Sequence, residues 1–215
     1  MHVRYGHGMY RRILLAAAVA AYPLPLLAQS PSPGAAAEAP REDLVQVALE
    51  TESGRIIIAV DRGHAPVTAK NFLRYVDSKR LDGINFYRAM KLWEGTGLVQ
   101  GGVRDGAKLF PPIAHEPTSQ TGLHHEDGTI SMARAEPGTA RCDFFVTVGK
   151  VEGFDAGTKD GDGLGYAAFG RVVEGMDIVR ALLAAPVSPT KGARDGMAGQ
   201  ILEKPVKVLS ARRLP

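Results

Sequence analysis

The residue best suited to chemistry is an arginine among apolar neighbours. Arg88 lies in the segment FYRAMKLWEGTGLVQGG, residues 86–102, two positions after Phe86. A guanidinium carries five N–H donors and is never neutral in a protein, so an apolar core is a costly place for it. Strand alternation predicts that Phe86 and Arg88 share one face. Taken alone, Arg88 is best interpreted as a surface or ion-paired residue.

Three further segments accompany Arg88 in a fixed order. The turn Gln100-Gly-Gly comes first, then ISMAR at residues 130–134 and FFV at residues 144–146. Their order and spacing resemble the active face of a cyclophilin-type peptidyl-prolyl cis-trans isomerase. The resemblance extends over roughly residues 45–183, most of the chain after its leader. It implies a mainly β fold, a closed eight-stranded antiparallel barrel capped by two α-helices, one at each end.

The resemblance also assigns roles. It makes Arg88 the catalytic residue and implies that Gln100 supports both the arginine and the substrate backbone. Ala133 and Arg134 match positions where a strand edge meets the peptide. The remaining substrate-binding residues that it implies are apolar or aromatic: Phe86, Leu98, Phe145, Phe154 and Tyr166. Considered singly, Phe86 and Phe145 are better explained as barrel core.

The implied reaction breaks no bond. Rotation about an X-Pro amide has a barrier of about 20 kcal/mol because the C–N bond is partly double. Uncatalysed rotation takes tens of seconds or more. An enzyme accelerates it by binding the twisted amide better than either planar form. Twisting leaves a lone pair on the prolyl nitrogen, and a guanidinium can donate a hydrogen bond to it. We therefore expect no nucleophile, no cofactor and no metal.

Several positions depart from the family pattern. Tyr87 replaces the histidine usual before the arginine, and Asp143 replaces a common glutamine. Phe154 occupies the loop position where many eukaryotic members have tryptophan, and Tyr166 stands for a pocket histidine. These changes bear on substrate preference, cyclosporin binding and absolute rate.

The segment KLWEGTG, residues 91–97, is interpreted as an insertion. Gly97 falls where a pocket phenylalanine normally lies, and Trp93 is a candidate to fold inward in its place. The insertion motivates a second hypothesis, a proline-binding chaperone or scaffold module of the same fold with little turnover. The retained Arg88 favours the enzyme, and comparing peptide affinity with turnover separates the two hypotheses.

Other groupings of titratable residues are weaker candidates for a site. His115, His124 and His125 lie near acidic residues, but adjacent histidines in a strand point to opposite faces and make poor joint ligands. We interpret them as part of a polar turn. The sequence DGDG at residues 160–163 resembles part of a calcium loop, but it lacks the glutamate in register and the flanking helices.

Composition divides the chain into a leader, a linker and a folded domain. Residues 9–28 combine a basic start with an apolar run of signal-peptide length, which ends at a small-residue cleavage site after Ala28. Pro23 and Pro25 interrupt the run, so we expect no stable membrane span. The prediction is a signal peptide over residues 1–28, a flexible Pro/Ala-rich linker over residues 29–41, and an isomerase domain over residues 42–215. The protein would then be exported, to the periplasm in a Gram-negative bacterium and otherwise secreted.

Charge adds no case for a polyanionic partner. Removing residues 1–28 takes away Arg4, Arg11 and Arg12 and no acid, which leaves 23 basic against 23 acidic residues. A chain without net charge gives no electrostatic reason to expect nucleic acid. The expected partners are proline-containing unfolded or folding polypeptides, bound by a monomer.

Hydrophobic periodicity predicts many short strands and two helices. Residues 44–51 alternate apolar and polar as in a half-buried strand. Apolar residues at 69, 72, 73 and 76 predict one face of a helix from Pro66 to about Lys79. The other predictions are strands at residues 55–60, 129–134, 144–148 and 166–172, a helix through Met176, Val179 and Leu183 that ends before Pro186, and a last strand through Val206 and Val208. Such a pattern favours a closed antiparallel barrel.

Overall fold

The computed structural model describes residues 43–159 and 161–215. The predicted signal peptide and linker, and Asp160 of the DGDG segment, lie outside the described residues. Within them the chain forms strands β1 (Leu44–Thr51), β2 (Gly54–Asp61), β3 (Asn85–Trp93), β4 (Thr96–Gly102), β5 (Thr129–Met132), β6 (Phe144–Val148), β7 (Ala167–Glu174), β8 (Val187–Ser188) and β9 (Ile201–Arg213). The helices are α1 (Pro66–Asp77), α2 (Thr118–Thr121) and α3 (Met176–Ala184).

Eight of these strands close into an antiparallel barrel, as the sequence predicts. The order around the barrel is β1-β2-β7-β5-β6-β4-β3-β9, and β9 pairs back onto β1. The two-residue β8 pairs with the first residues of β9 and is an addition to the closed ring. A barrel leaves none of its eight strands with an unpaired edge, which stabilises a sheet built from short strands.

The core is built from alternating strand residues and one face of each long helix. Val47 and Leu49 of β1 are fully buried, as their alternation predicts. In α1, the predicted apolar residues at 69, 72, 73 and 76 are all buried. Phe72 packs against Phe144 and Phe169, with ring centroids 5.5 and 5.2 Å apart. These aromatic contacts join the helix to the barrel wall.

Helix α1 ends two residues earlier than predicted. Lys79 adopts a left-handed φ of 57°, which a continuing helix could not accommodate. The second predicted helix is observed as α3, which buries Val179, Leu182 and Leu183 before Pro186. The prediction did not include α2 or the short 3₁₀ turns at Gly106–Lys108, Glu152–Phe154 and Ala193–Asp195. The turn predicted at residues 100–102 is wrong, because these residues pair with the neighbouring strands as the end of β4.

A buried glutamate fixes the long connection between β4 and β5. The N-cap residue of α1, Ala65, makes no side-chain capping bond. Instead Glu116 accepts the backbone N–H groups of Val67 and Thr68, at 3.0 and 2.7 Å, and the Thr68 hydroxyl at 2.6 Å. A carboxylate satisfies the free donors of a helix N-terminus and favours its dipole. This contact ties the connection, which includes Arg104 and Leu109, to the N-terminus of α1.

The segment interpreted as an insertion is the tip of the β3–β4 hairpin. Pairing continues from Met90 opposite Leu98 to Trp93 opposite Thr96. The expectation that Trp93 folds into the pocket is wrong, because the hairpin carries it outward, where it is 56% exposed. There is also no room for a larger side chain at Gly97, since a Cβ there would lie 2.2 Å from the Met90 carbonyl oxygen.

Candidate active site

A groove of about 560 Å³ crosses the barrel surface at β3, β4 and β6. It brings together residues from segments far apart in the chain. Eight of the nine residues proposed from the sequence line it: Arg88, Leu98, Gln100, Ala133, Arg134, Phe145, Phe154 and Tyr166. Their proximity is a structural result, and their roles in binding and catalysis stay predictions.

Phe86 is the predicted residue that does not line this groove. It is 1% exposed and packs in the barrel core against Phe144, with ring centroids 5.9 Å apart. The predicted shared face of Phe86 and Arg88 is wrong because β3 carries a bulge between them. Phe86 pairs with Gly101 and Arg88 with Gln100, so two steps of β3 match one step of β4. The extra residue turns Arg88 away from the core.

The guanidinium of Arg88 is held from two edges by glutamines. Nη1 donates to Oε1 of Gln100 at 2.8 Å. Nε and Nη2 both donate to Oε1 of Gln200, at 2.8 and 2.5 Å, and Nη2 also contacts the Met90 sulfur at 3.2 Å. These bonds occupy four of the five N–H donors and leave one on Nη1 without an acceptor among the described residues. Burial lowers the pKa of Arg88, but an arginine stays protonated near neutral pH.

Gln200 is a site residue that the sequence reading missed. It lies just before β9, at the end of a turn-rich region, and its backbone carbonyl accepts the N–H of Ala89 at 2.8 Å. That backbone pairing sets its side chain beside Arg88. In the sequence it is a single glutamine in the Gly-rich segment before the last predicted strand, which is too common a feature to indicate a site.

Behind Gln100 lies a chain of hydrogen bonds that ends on a carboxylate. Nε2 of Gln100 donates to the Tyr87 hydroxyl at 2.7 Å and to Oδ2 of Asp143 at 3.3 Å. The Tyr87 hydroxyl donates to the same oxygen of Asp143 at 2.5 Å. We call Arg88, Gln100, Tyr87 and Asp143 the polar wall. Two departures from the family pattern, Tyr87 and Asp143, are therefore bonded to each other.

A second part of the groove lining, which we call the aromatic wall, consists of Phe145, Phe154 and Tyr166. Their three ring centroids lie 5.3 to 5.5 Å apart, in edge-to-face arrangements. Such contacts stabilise a fixed apolar surface. Leu98, which is 4% exposed, adds an aliphatic surface from β4. Together these residues form a surface suited to a proline ring.

A buried histidine supports the aromatic wall from below. The ring of His125 stacks on Phe145 with centroids 6.0 Å apart and packs edge-on against Phe154. Its Nδ1 lies 2.6 Å from Oδ1 of Asp155, and its Nε2 lies 3.0 Å from the Ser131 hydroxyl. This order resembles that of a hydrolytic triad. However, Ser131 is fully buried, so no substrate carbonyl can reach its hydroxyl.

His124 and His125 lie outside any strand, in agreement with their interpretation as part of a polar turn. Residues 122–126 are irregular, and both imidazoles bond the same carboxylate, since Nδ1 of His124 lies 2.8 Å from Oδ2 of Asp155. His115 instead contacts the Leu164 carbonyl oxygen at 3.1 Å. Among residues 43–159 and 161–215, no three His, Cys, Asp or Glu side chains are grouped as a metal site would require.

Arg134 lines the groove, but other groups already occupy its guanidinium. Nε and Nη2 donate to the Gly165 carbonyl at 3.0 and 2.5 Å, and Nη1 lies 2.8 Å from the Asp162 carboxylate. The bond from Arg134 lowers the pKa of Asp162 to about 2. Arg134 therefore joins the end of β5 to the loop that carries Phe154. The side chain supports the groove, and contact with substrate through it stays a prediction.

The groove combines a fixed hydrogen-bond donor with an apolar surface on a closed barrel. That is the class of site needed to bind a twisted X-Pro amide. The sequence model for the cyclophilin-type peptidyl-prolyl cis-trans isomerase family matches residues 46–212. The chain therefore belongs to the cyclophilin family of peptidyl-prolyl cis-trans isomerases, enzymes that accelerate rotation about X-Pro bonds.

Individual relatives agree with this assignment. The chain is 32% identical to peptidyl-prolyl cis-trans isomerase cyp18 of Streptomyces antibioticus, over 76% of this chain and 98% of that protein. It is 35% identical to peptidyl-prolyl cis-trans isomerase A of Dickeya dadantii, over 77% of this chain and 83% of that protein. A cyclophilin-type isomerase of Cryptosporidium parvum superposes with a TM-score of 0.62 at 18% identity, over 80% of this chain and 99% of that one. This last similarity concerns the fold.

Within the described residues, no helix is long and apolar enough to cross a membrane.

Proposed function

We propose that this isomerase acts on X-Pro bonds of exported proteins while they fold, with Arg88 as its catalytic residue. The observation that carries the proposal is the fixed guanidinium, whose Nη1 keeps one donor for a ligand in the groove. That donor binds the prolyl nitrogen when twisting makes it pyramidal. In the planar ground state the nitrogen lone pair is delocalised, so the bond favours the transition state.

The other groove residues bind the substrate or orient Arg88. The aromatic wall and Leu98 bind the proline ring, Gln100 and Gln200 orient the guanidinium, and Ala133 offers backbone at the groove edge. A structure of the Cryptosporidium parvum relative was determined in the presence of the dipeptide Ala-Pro, which supports a proline-containing ligand. We expect the isomerase to act as a monomer.

The experiment that tests the role of Arg88 measures cis–trans exchange in a short Xaa-Pro-Phe peptide by NMR. The chain should accelerate exchange, and Arg88→Ala should reduce kcat/KM by about 100-fold, the scale seen when a transition-state donor is removed. Arg55→Ala is the matched control, because Arg55 is an exposed arginine of β2 that pairs with Glu50 at 2.6 Å and does not line the groove. It should retain full activity.

Two results would contradict the proposal. Equal activity of the chain and Arg88→Ala would remove the arginine from the mechanism. Peptide binding with no acceleration by either protein would leave a proline-binding module, the alternative hypothesis.

Export is supported by the sequence of residues 1–28, with its basic start, apolar run and small-residue cleavage site. We expect the full chain, expressed in a Gram-negative host, to be recovered from the periplasm with Gln29 as its first residue. Mass spectrometry of the fractionated protein measures this. An intact leader on protein confined to the cytoplasm would refute export.

A further inference from the structure

The side-chain amide of Gln100 can hold Arg88 in only one orientation. A guanidinium offers only donors, so it can bond the oxygen of the amide but not its nitrogen. If the amide turned over, Nε2 would face Nη1 of Arg88, donor against donor. The hydrogen bond from Nη1 of Arg88 to Gln100 therefore depends on the groups that fix the orientation of the Gln100 amide.

Tyr87 and Asp143 fix that direction. A carboxylate only accepts hydrogen bonds, so the Tyr87 hydroxyl must direct its proton to Asp143, 2.5 Å away. Its lone pairs then face Gln100, whose Nε2 lies at 2.7 Å, and Oε1 is left to accept from Arg88 at 2.8 Å. Every bond in the series runs one way, from Arg88 to Gln100 to Tyr87 to Asp143. No member can reverse without losing a bond.

The β3 bulge is what allows this arrangement. Adjacent residues of a regular strand point to opposite faces. Tyr87 and Arg88 are adjacent, yet both side chains bond the amide of Gln100. The extra residue between the pairs Phe86–Gly101 and Arg88–Gln100 removes the alternation at this point. The same irregularity that keeps Phe86 in the core thus brings Tyr87 to the arginine.

The surroundings keep the Tyr87 hydroxyl protonated and leave room for its partner. Burial, and then the charge of Asp143, raise the pKa of Tyr87, so its hydroxyl keeps its proton at neutral and mildly alkaline pH. Asp143 lies against the backbone of β4 at Gly102, where a Cβ would come within 2.0 Å of its Oδ1. Arg104 stacks over the Tyr87 ring, with its Cζ 4.8 Å from the centroid, and lies 3.8 Å from the carboxylate. The glycine admits the carboxylate, and Arg104 balances its charge.

We propose that Tyr87 and Asp143 are positioning residues, which hold Arg88 in its productive geometry by fixing the amide of Gln100. The inference rests on the proposed function of Arg88 and adds residues that do not touch the reacting bond. Gln200 holds the other edge of the guanidinium, but no bond to its own Nε2 occurs among the described residues. Only the Gln100 edge is therefore fixed independently of the arginine.

The test is Tyr87→Phe, which removes one oxygen and leaves the ring in place. Exchange rates of the prolyl peptide should show kcat about tenfold lower, the scale expected for one lost hydrogen bond, with KM unchanged. The ¹H–¹⁵N signal of the Arg88 Nε–H group should broaden or shift, because the guanidinium gains freedom. This signal reports positioning directly, even where turnover is too slow to measure.

Matched variants separate positioning from general destabilisation. Tyr75→Phe removes a hydroxyl that accepts the Phe110 N–H at 2.7 Å, from a tyrosine that is also buried, and should leave kcat unchanged. Asp143→Asn, which keeps an acceptor for Tyr87, should retain more activity than Asp143→Ala. In the Arg88→Ala background, Tyr87→Phe should have no further effect on rate, because residues acting through one group are not additive.

Failure of the inference and failure of the proposed function give different results. The positioning role alone is overturned if Tyr87→Phe keeps the kcat and the Arg88 signal of the unmodified chain while Arg88→Ala is inactive. An equal loss in Tyr75→Phe also overturns it, since the effect would then be general. Full activity of Arg88→Ala overturns the catalytic role of the arginine itself.

Discussion

The two walls of the groove each rest on a carboxylate, but they use it differently. In the polar wall, Asp143 ends a series of hydrogen bonds whose direction must be right for Arg88 to be held. In the aromatic wall, Asp155 bonds His125, and the imidazole supports the rings by packing beneath them. One carboxylate fixes donor–acceptor order, and the other fixes a shape.

This difference separates rate from stability. Removing an atom from the polar wall changes the geometry of a hydrogen-bond donor and removes little buried apolar area. Such a change should therefore act mainly on kcat. The aromatic wall contributes to both the groove and the folded state, because Phe145 is 2% exposed and contacts three other rings. A change there should alter substrate binding and unfolding together.

Within the aromatic wall, the largest effect should follow Phe145→Leu. The smaller side chain leaves space below the proline ring, and we expect kcat/KM to fall about tenfold, the scale for apolar pocket changes, mostly through KM. The free energy of unfolding should fall by about 1–2 kcal/mol, as for other partial truncations in cores. Urea unfolding and peptide exchange measure the two effects.

Phe169→Leu is the matched control for this prediction. Phe169 is fully buried and packs against Phe72 in the core. It should lose similar stability while KM stays unchanged. If Phe145→Leu lost only stability, or lost kcat with KM intact, the aromatic wall would not be the surface that binds the ring.

Much of the fold can be predicted from hydrophobic periodicity, because a strand or helix that buries one face has regularly spaced apolar residues. Strand β1 was predicted with its observed bounds, and the four apolar residues predicted for the inner face of α1 are all buried. The barrel follows from many short strands and few helices. The short helix α2 and the 3₁₀ turns were missed, since they contain too few residues for a period to show.

The site was predictable where resemblance supplied positions and unpredictable where local geometry decided. Alternation could not show the bulge at Tyr87, because one extra residue reverses the face of Arg88 without changing the sequence pattern. Gln200 reaches the arginine through a pairing across 112 positions. The link between Tyr87 and Asp143 spans 56 positions and was visible only as two separate departures from the family.

The smallest effect separates the walls by their response to acid. Burial lowers the pKa of His125, against the opposing bond to Asp155. A histidine with a depressed folded pKa stabilises the protein fully above its unfolded value, near 6.5, and loses that contribution as pH falls. Burial also raises the pKa of Asp155, but bonds from His125 and His124 outweigh it and the net pKa is lowered. The contribution of Asp155 to stability is also lost as the pH falls, but only below about pH 4.

Urea unfolding should therefore show that the free energy of unfolding falls by up to about 1.4 kcal/mol when the pH is one unit below the pKa of histidine in the unfolded chain. The polar wall should not respond over this interval, because Tyr87 keeps its proton and Arg88 its charge. Accordingly kcat should stay flat from about pH 5.5 to 8. The His125→Gln variant should be less stable at neutral pH. It should lose no further stability from residue 125 when the pH is lowered, because glutamine does not titrate. If kcat instead fell together with stability in the unmodified chain and recovered in His125→Gln, the two walls would act as one titrating unit and the distinction drawn between them would fail.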